Sequence, residues 1–111
     1  MNNYLHNSSS DLSQRMLNAI ESGSVIPIHR HKHSSETVAV LRGKIRQDFF
    51  LDDGTLDSSI IMGLGGDVIG MNVPIGRWHR SVSLESGTVI LESKDGPYVP
   101  SGEEDILDLE K

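Results

Sequence analysis

The sequence predicts an all-β, single-domain barrel or sandwich with one short helix near its N-terminus. Two observations carry that reading. Between residues 24 and 94, short runs rich in Val, Ile and Phe alternate with breaks of Gly, Asp and Ser. The breaks include Asp53-Gly54, Gly65-Gly66, Pro74-Ile75-Gly76 and Ser86-Gly87, where Gly supplies a positive φ at no steric cost. The 111 residues suffice for one modest core.

Taken in order, residues 1–10 are polar and rich in Ser and Asn, and are expected to be loose, His6 with them. Asp11 and Gln14 have the spacing of a capping box. Leu12, Met16, Ala19 and Ile20 then recur at helical spacing, so a short helix is expected over 11–21, stopped at Gly23. Strands are expected at 24–30, 37–42, 44–51, 58–63, 68–73, 81–84 and 88–93. The Gly96-Pro97 step and Pro100 close the 11–100 domain. The tail 101–111 carries five acids and one Lys, and is expected to be solvated.

Composition excludes several classes. The net charge of −6 argues against general nucleic-acid binding. With no cysteine, disulfides and thiolate metal sites are ruled out. The N-terminus lacks the features of a secretory signal and no apolar run is long enough to span a bilayer, so no membrane association and a cytoplasmic location are expected.

The informative stretch runs from Gly23 to Gly43. His29 and His31 are two apart, and on a strand both imidazoles project to one face. Glu36 follows a polar Ser34-Ser35 segment that can turn the chain back. Two His and a carboxylate form a nitrogen and oxygen donor set for a divalent transition metal such as Zn, Fe, Mn or Ni. Pro74-Ile75-Gly76 makes a tight turn before His79, which a barrel can carry opposite the first cluster. The expected metal ligands are therefore His29, His31, Glu36 and His79, with one ion per chain. Glu36 can also serve outside the coordination sphere, orienting water or a ligand His. His33 extends the alternation, but the polar run around it reads as an exposed loop.

Residues 23–43 match the first cupin motif, G-x5-H-x-H-x4-E-x6-G, at every specified position. Residues 74–79 match the core of the second, P-x-G-x2-H. Two positions depart from it, Val68 where Gly is expected and Ser83 where Asn is expected. The chain thus resembles the cupin superfamily, which implies a double-stranded β-helix, or jelly-roll barrel. It is most similar to the small WbuC-type cupin-fold metalloproteins of bacterial surface-polysaccharide gene clusters. Arg15 to Ile20, Pro27 to His31, Trp78-His79 and Glu92 to Tyr98 carry that similarity. The resemblance implies a metal-binding barrel linked to sugar-polymer biosynthesis.

Of the remaining residues, Trp78 neighbours His79, so alternation points it to the outside of the barrel. Arg77 and Arg80 flank His79 and are the candidates for contacting substrate. Asp52, Asp53 and Asp57 lack the calcium-loop spacing and read as a hairpin turn. The small-molecule ligand is expected to be sugar-derived or anionic, since basic residues gather near the motifs. Two functional classes stay open. One is a metal-dependent enzyme, an isomerase or epimerase or else an oxygenase. The other is a non-catalytic module that binds or regulates through its metal. A homodimer is expected, because a barrel this small has sheet edges to cover.

Overall fold

A computed structural model describes residues 2–24, 26–100 and 102–107. Ten strands form two five-stranded sheets that face each other. They are β1 (Asn2–Tyr4), β2 (Ser13–Ile20), β3 (Ile28–His29), β4 (Glu36–Arg42), β5 (Lys44–Phe50), β6 (Leu56–Gly63), β7 (Gly70–Val73), β8 (Trp78–Ser83), β9 (Thr88–Asp95) and β10 (Ile106–Leu107). One sheet runs β1-β2-β9-β4-β7 and the other β10-β3-β8-β5-β6. All of these pairings are antiparallel. This is the all-β jelly-roll architecture of the cupins, and each of the seven expected strands has a counterpart in it.

Period-two patterning builds the interior. Val38 and Val40 of β4, Ile45 and Phe49 of β5, Met62 of β6, Val73 of β7 and Ile90 of β9 are all buried in one cluster with Ile20. Ile45, Met62 and Ile90 are fully buried, and each contributes about 2–3 kcal/mol by leaving water. A second, smaller cluster lies on the outer face of the other sheet, where Ile28, Phe50 and Trp78 pack with Leu107. Trp78 therefore faces outward, as alternation from His79 requires. Its Nε1 donates to Asp52 Oδ1 at 3.1 Å, and the Arg30 guanidinium lies 4.4 Å from its ring centre.

The turn at Gly43 shows why the motif specifies glycine. Its φ is +81°, and a Cβ there would come within 2.9 Å of Thr88 Cα. The chain can cross from β4 in one sheet to β5 in the other, over β9, only without a side chain at that position.

The expected helix over 11–21 is instead β2, paired with β9 along its whole length from Ser13↔Asp95 to Ile20↔Thr88. Met16 and Ile20 satisfy periods of both two and four, so the spacing alone does not decide. An isolated helix of this length is marginal in water, whereas the strand completes the edge of β9 and places Gln14 and Ile20 in the interior. The capping-box residues shape a turn: Asp11 accepts from the backbone N–H groups of Asn7 and Ser13, and Gln14 Nε2 donates to the Asp11 carbonyl at 2.8 Å. The N-terminal segment is likewise ordered by pairing, Asn2–Tyr4 lying along β2.

The described part of the acidic tail is docked. A 3₁₀ turn at Glu103–Asp105 leads into β10, which pairs with β3. Arg30 Nε meets Asp105 Oδ1 at 3.1 Å, and Lys32 Nζ meets Asp105 at 3.3 Å and Glu104 at 3.5 Å. Residues 101 and 108–111 lie outside the described residues.

Candidate metal centre

Two strand residues, one turn residue and one cross-sheet carboxylate form the site. His29 ends β3 and pairs with His79 of β8. His31 follows in the turn after β3, where its carbonyl accepts from the Gly76 N–H at 2.8 Å. That bond ties the two motif turns together. The ring centres of His29 and His79 are 4.3 Å apart, and His31 lies 5.1 Å and 5.4 Å from them. One nitrogen from each ring falls within 4.8 Å of the others. A shared ion at about 2.1 Å would hold them about 3 Å apart, a closure within reach of small ring rotations.

Backbone carbonyls orient two of the rings. His29 Nδ1 is 2.8 Å from the Pro27 carbonyl, and His79 Nδ1 is 2.8 Å from the Arg77 carbonyl. With Nδ1 donating, each Nε2 keeps a free lone pair. The Nε2 atoms of His31 and His79 are buried without a well-directed hydrogen bond among the described residues, with Glu36 Oε2 lying 3.3 Å from that of His31. Orphaned buried nitrogens are costly, and a cation shared between them removes the deficit. Burial, followed for His79 by the charge of His29, pushes His79 down to about 4 and also lowers His29. Both are therefore neutral near pH 7, the form that ligates a metal. The residues present fit a divalent transition metal.

Glu36 reaches the triad from the start of β4 in the opposite sheet. Its Oε2 is 3.3 Å from His31 Nε2, and its Oε1 is 3.9 Å from His79 Nε2. Burial opposes its ionisation, but His31, His79 and Lys94 outweigh it and hold the carboxyl below its ordinary value. His29, His31, Glu36 and His79 are thus brought together. His33 is exposed.

Arg77 and Arg80 are not brought to the triad. Arg80 alternates outward from His79, where its Nε donates to Asp48 Oδ2 at 3.0 Å. Asp48 also takes Arg46 at 2.8 Å and Ser59 at 2.7 Å. Arg77 pairs with Asp57, donates to the Phe50 carbonyl at 3.0 Å and lies over the Phe49 ring.

Two residues without a place in the expected site line it instead. Glu92 and Lys94 of β9 face inward, continuing the alternation of Thr88 and Ile90, and Lys94 is the cross-strand partner of Glu36. Both border a cavity of about 210 Å³ that Glu36 and Gln14 also line. Burial, with the nearby charge of Glu36, raises the Glu92 carboxyl to about 7. The period of two along β9 was the signal that could have located them.

Comparison with known proteins places this geometry. The crystal structure of BH2720 from Bacillus halodurans superposes with a TM-score of 0.67 at 21% identity, over 83% of this chain and 68% of that one. KdgF from Halomonas sp. gives 0.63 at 15% identity, over 85% and 77%. The capsular polysaccharide assembling protein CapF from Staphylococcus aureus gives 0.69 at 20% identity, over 89% of this chain but 27% of that one. At these identities the likeness is one of fold. No curated protein matches the chain. A family model described as a domain of unknown function, DUF6016, matches residues 1–62, which include His29, His31 and Glu36. The chain belongs to the DUF6016 family and has the cupin fold.

Proposed function

We propose that this chain is a metal-dependent cupin that acts on a small sugar-derived or anionic metabolite. His29, His31 and His79 hold one divalent transition metal, and Glu36 either completes the set or orients what binds beside it. The observation that carries the reading is the buried Nε2 of His79, without a hydrogen-bond partner among the described residues, on a ring set by the Arg77 carbonyl and grouped with His29 and His31 at metal-sharing distance. When bound, such a metal supplies a Lewis acid for a carbonyl or hydroxyl oxygen, or a site for dioxygen if it is iron.

The chain's own residues supply the rest. Trp78, Ile28 and Phe50 close the outer face behind His29 and His79, which limits water access from that side. Glu92, held up to about 7, is poised to exchange a proton near neutral pH. This carboxyl favours an enzyme over a purely binding module, because a structural or sensing site does not need a tuned acid. The similarity to WbuC-type proteins supports a place in surface-polysaccharide biosynthesis.

The test is turnover. Metal-reconstituted protein would be incubated with a panel of nucleotide-sugars, sugar acids and keto acids and followed by proton NMR. Chemical change that chelation abolishes and metal restores is expected. Saturable binding without change would favour the module, and neither binding nor change across the panel would reject the substrate class.

A further inference from the structure

Lys94 is a cation set inside the barrel without an ion-pair contact among the described residues, although its charge acts on Glu36 and Glu92 from farther off. Arg30, Lys32, Arg46, Arg77 and Arg80 each hold a carboxylate within 4 Å, whereas Lys94 makes no such pair among the described residues. It is half-buried and borders two cavities, one of about 270 Å³ that reaches His31 and one of about 210 Å³ that reaches Glu36. Two residues before it on the same face, Glu92 Oε2 is buried with no hydrogen-bond partner among the described residues. Both groups open onto the smaller cavity, beside Glu36, whose carboxylate in turn reaches His31 and His79. The orphaned carboxyl oxygen is costly until something polar meets it, and the ammonium that shares its cavity is free to take an anion.

We infer that this cavity is a subsite for a hydroxycarboxylate, with the ligand's carboxylate on Lys94 and a hydroxyl on Glu92. An ammonium takes a carboxylate through a charge-assisted hydrogen bond, which a neutral polyol cannot offer. The Glu92 oxygen takes the hydroxyl in either protonation state, as acceptor or as donor. The volume equals about seven waters, enough for a hydroxy acid of three to six carbons. Tyr4 and Tyr98, half or more exposed at its rim, offer faces for the carbon skeleton. A bare divalent cation is disfavoured by the ammonium of Lys94, and an apolar ligand leaves both polar groups unmet. The assignment rests on the metal-site reading above and names the class of ligand for it.

The probes are glycolate, the smallest hydroxycarboxylate, and acetate, which lacks only the hydroxyl. Each is titrated calorimetrically into metal-loaded wild-type protein and into Lys94→Met, Glu92→Leu and Arg42→Met variants, with metal content measured in all four. Glycolate is expected to saturate the wild type and to bind about five-fold more tightly than acetate, the worth of one hydrogen bond. Lys94→Met is expected to weaken both ligands ten-fold or more at unchanged metal content, while Arg42→Met, exposed at the opposite end of β4, leaves them as in the wild type. Glu92→Leu is expected to abolish the preference for glycolate, a ratio that a general folding defect does not move. Failure of glycolate to saturate the loaded wild type, or wild-type binding by Lys94→Met, would overturn the subsite. A glycolate preference that survives Glu92→Leu would overturn the Glu92 contact. A wild type that takes up no metal would instead overturn the metal-site reading, and the same titrations on that protein would still decide the roles of Lys94 and Glu92.

Discussion

Replacing Glu92 with Gln should stabilise the metal-free protein, and by an amount that depends on pH. Burial lifts this carboxyl from 4.5 to about 7. A raised carboxyl pKa means that folding disfavours the charged form. The penalty is absent below pH 4.5, grows through the window between the two values and is full above 7. Linkage gives a penalty of about 3 kcal/mol at pH 7 and under about 1 kcal/mol at pH 5. Gln keeps the shape and removes the charge, and Glu92 Oε2 has no hydrogen bond to lose. The variant is therefore expected to be more stable than the wild type by about 3 kcal/mol at pH 7 and by under 1 kcal/mol at pH 5. Urea denaturation of both proteins, chelated and at the two pH values, measures this. With a slope of about 1.5 kcal/mol per molar, the midpoint rises by about 2 M at pH 7 and by about half a molar at pH 5. A difference that does not change with pH, or a variant less stable at pH 7, would refute the reasoning, because it would mean that the carboxylate is already well solvated or paired.

Three further outcomes are expected. Asp48→Ala removes a buried carboxylate that Arg46, Arg80 and Ser59 share, and should cost about 2–4 kcal/mol by denaturation while leaving metal content intact, since Asp48 faces away from the triad. Gly43→Ala should cost about 2–4 kcal/mol, because a φ of +81° and a close approach to Thr88 both oppose a side chain; thermal melts give the value. Metal affinity should fall only modestly between pH 7 and 6. Three histidines of ordinary pKa would together weaken it about thirty-fold over that unit, but His29 and His79 are both lowered, so the loss should stay below about ten-fold in competition titrations at the two pH values.

The sequence exposed the parts of the molecule governed by local spacing. The alternation of His29 and His31, the return to Glu36 and the Pro74-Ile75-Gly76 turn before His79 needed no knowledge of distant contacts, and the four residues do meet. Trp78 was assigned its outward face from its neighbour alone. What spacing could not show was set by partners far along the chain. β2 looked helical because Met16 and Ile20 suit either period, and only its pairing with β9, some 70 residues away, selects the strand. The tail docks through Asp105 onto Arg30 and Lys32, and charge composition alone suggested a solvated end. Arg77 and Arg80 were singled out by proximity in sequence, yet Asp57 and Asp48 engage them. Glu92 and Lys94 lie in the stretch that resembles the WbuC-type proteins but outside both metal motifs, and they matter because β9 runs beside Glu36.

The central claim is that His29, His31 and His79 hold a metal. Elemental mass spectrometry on tag-free protein, with His31→Ala and His79→Ala beside it, tests this most directly. The account predicts close to one metal ion per wild-type chain, and its loss from both variants while circular dichroism still shows the β fold. A wild type that holds no metal after reconstitution, or variants that retain it in full, would contradict the account.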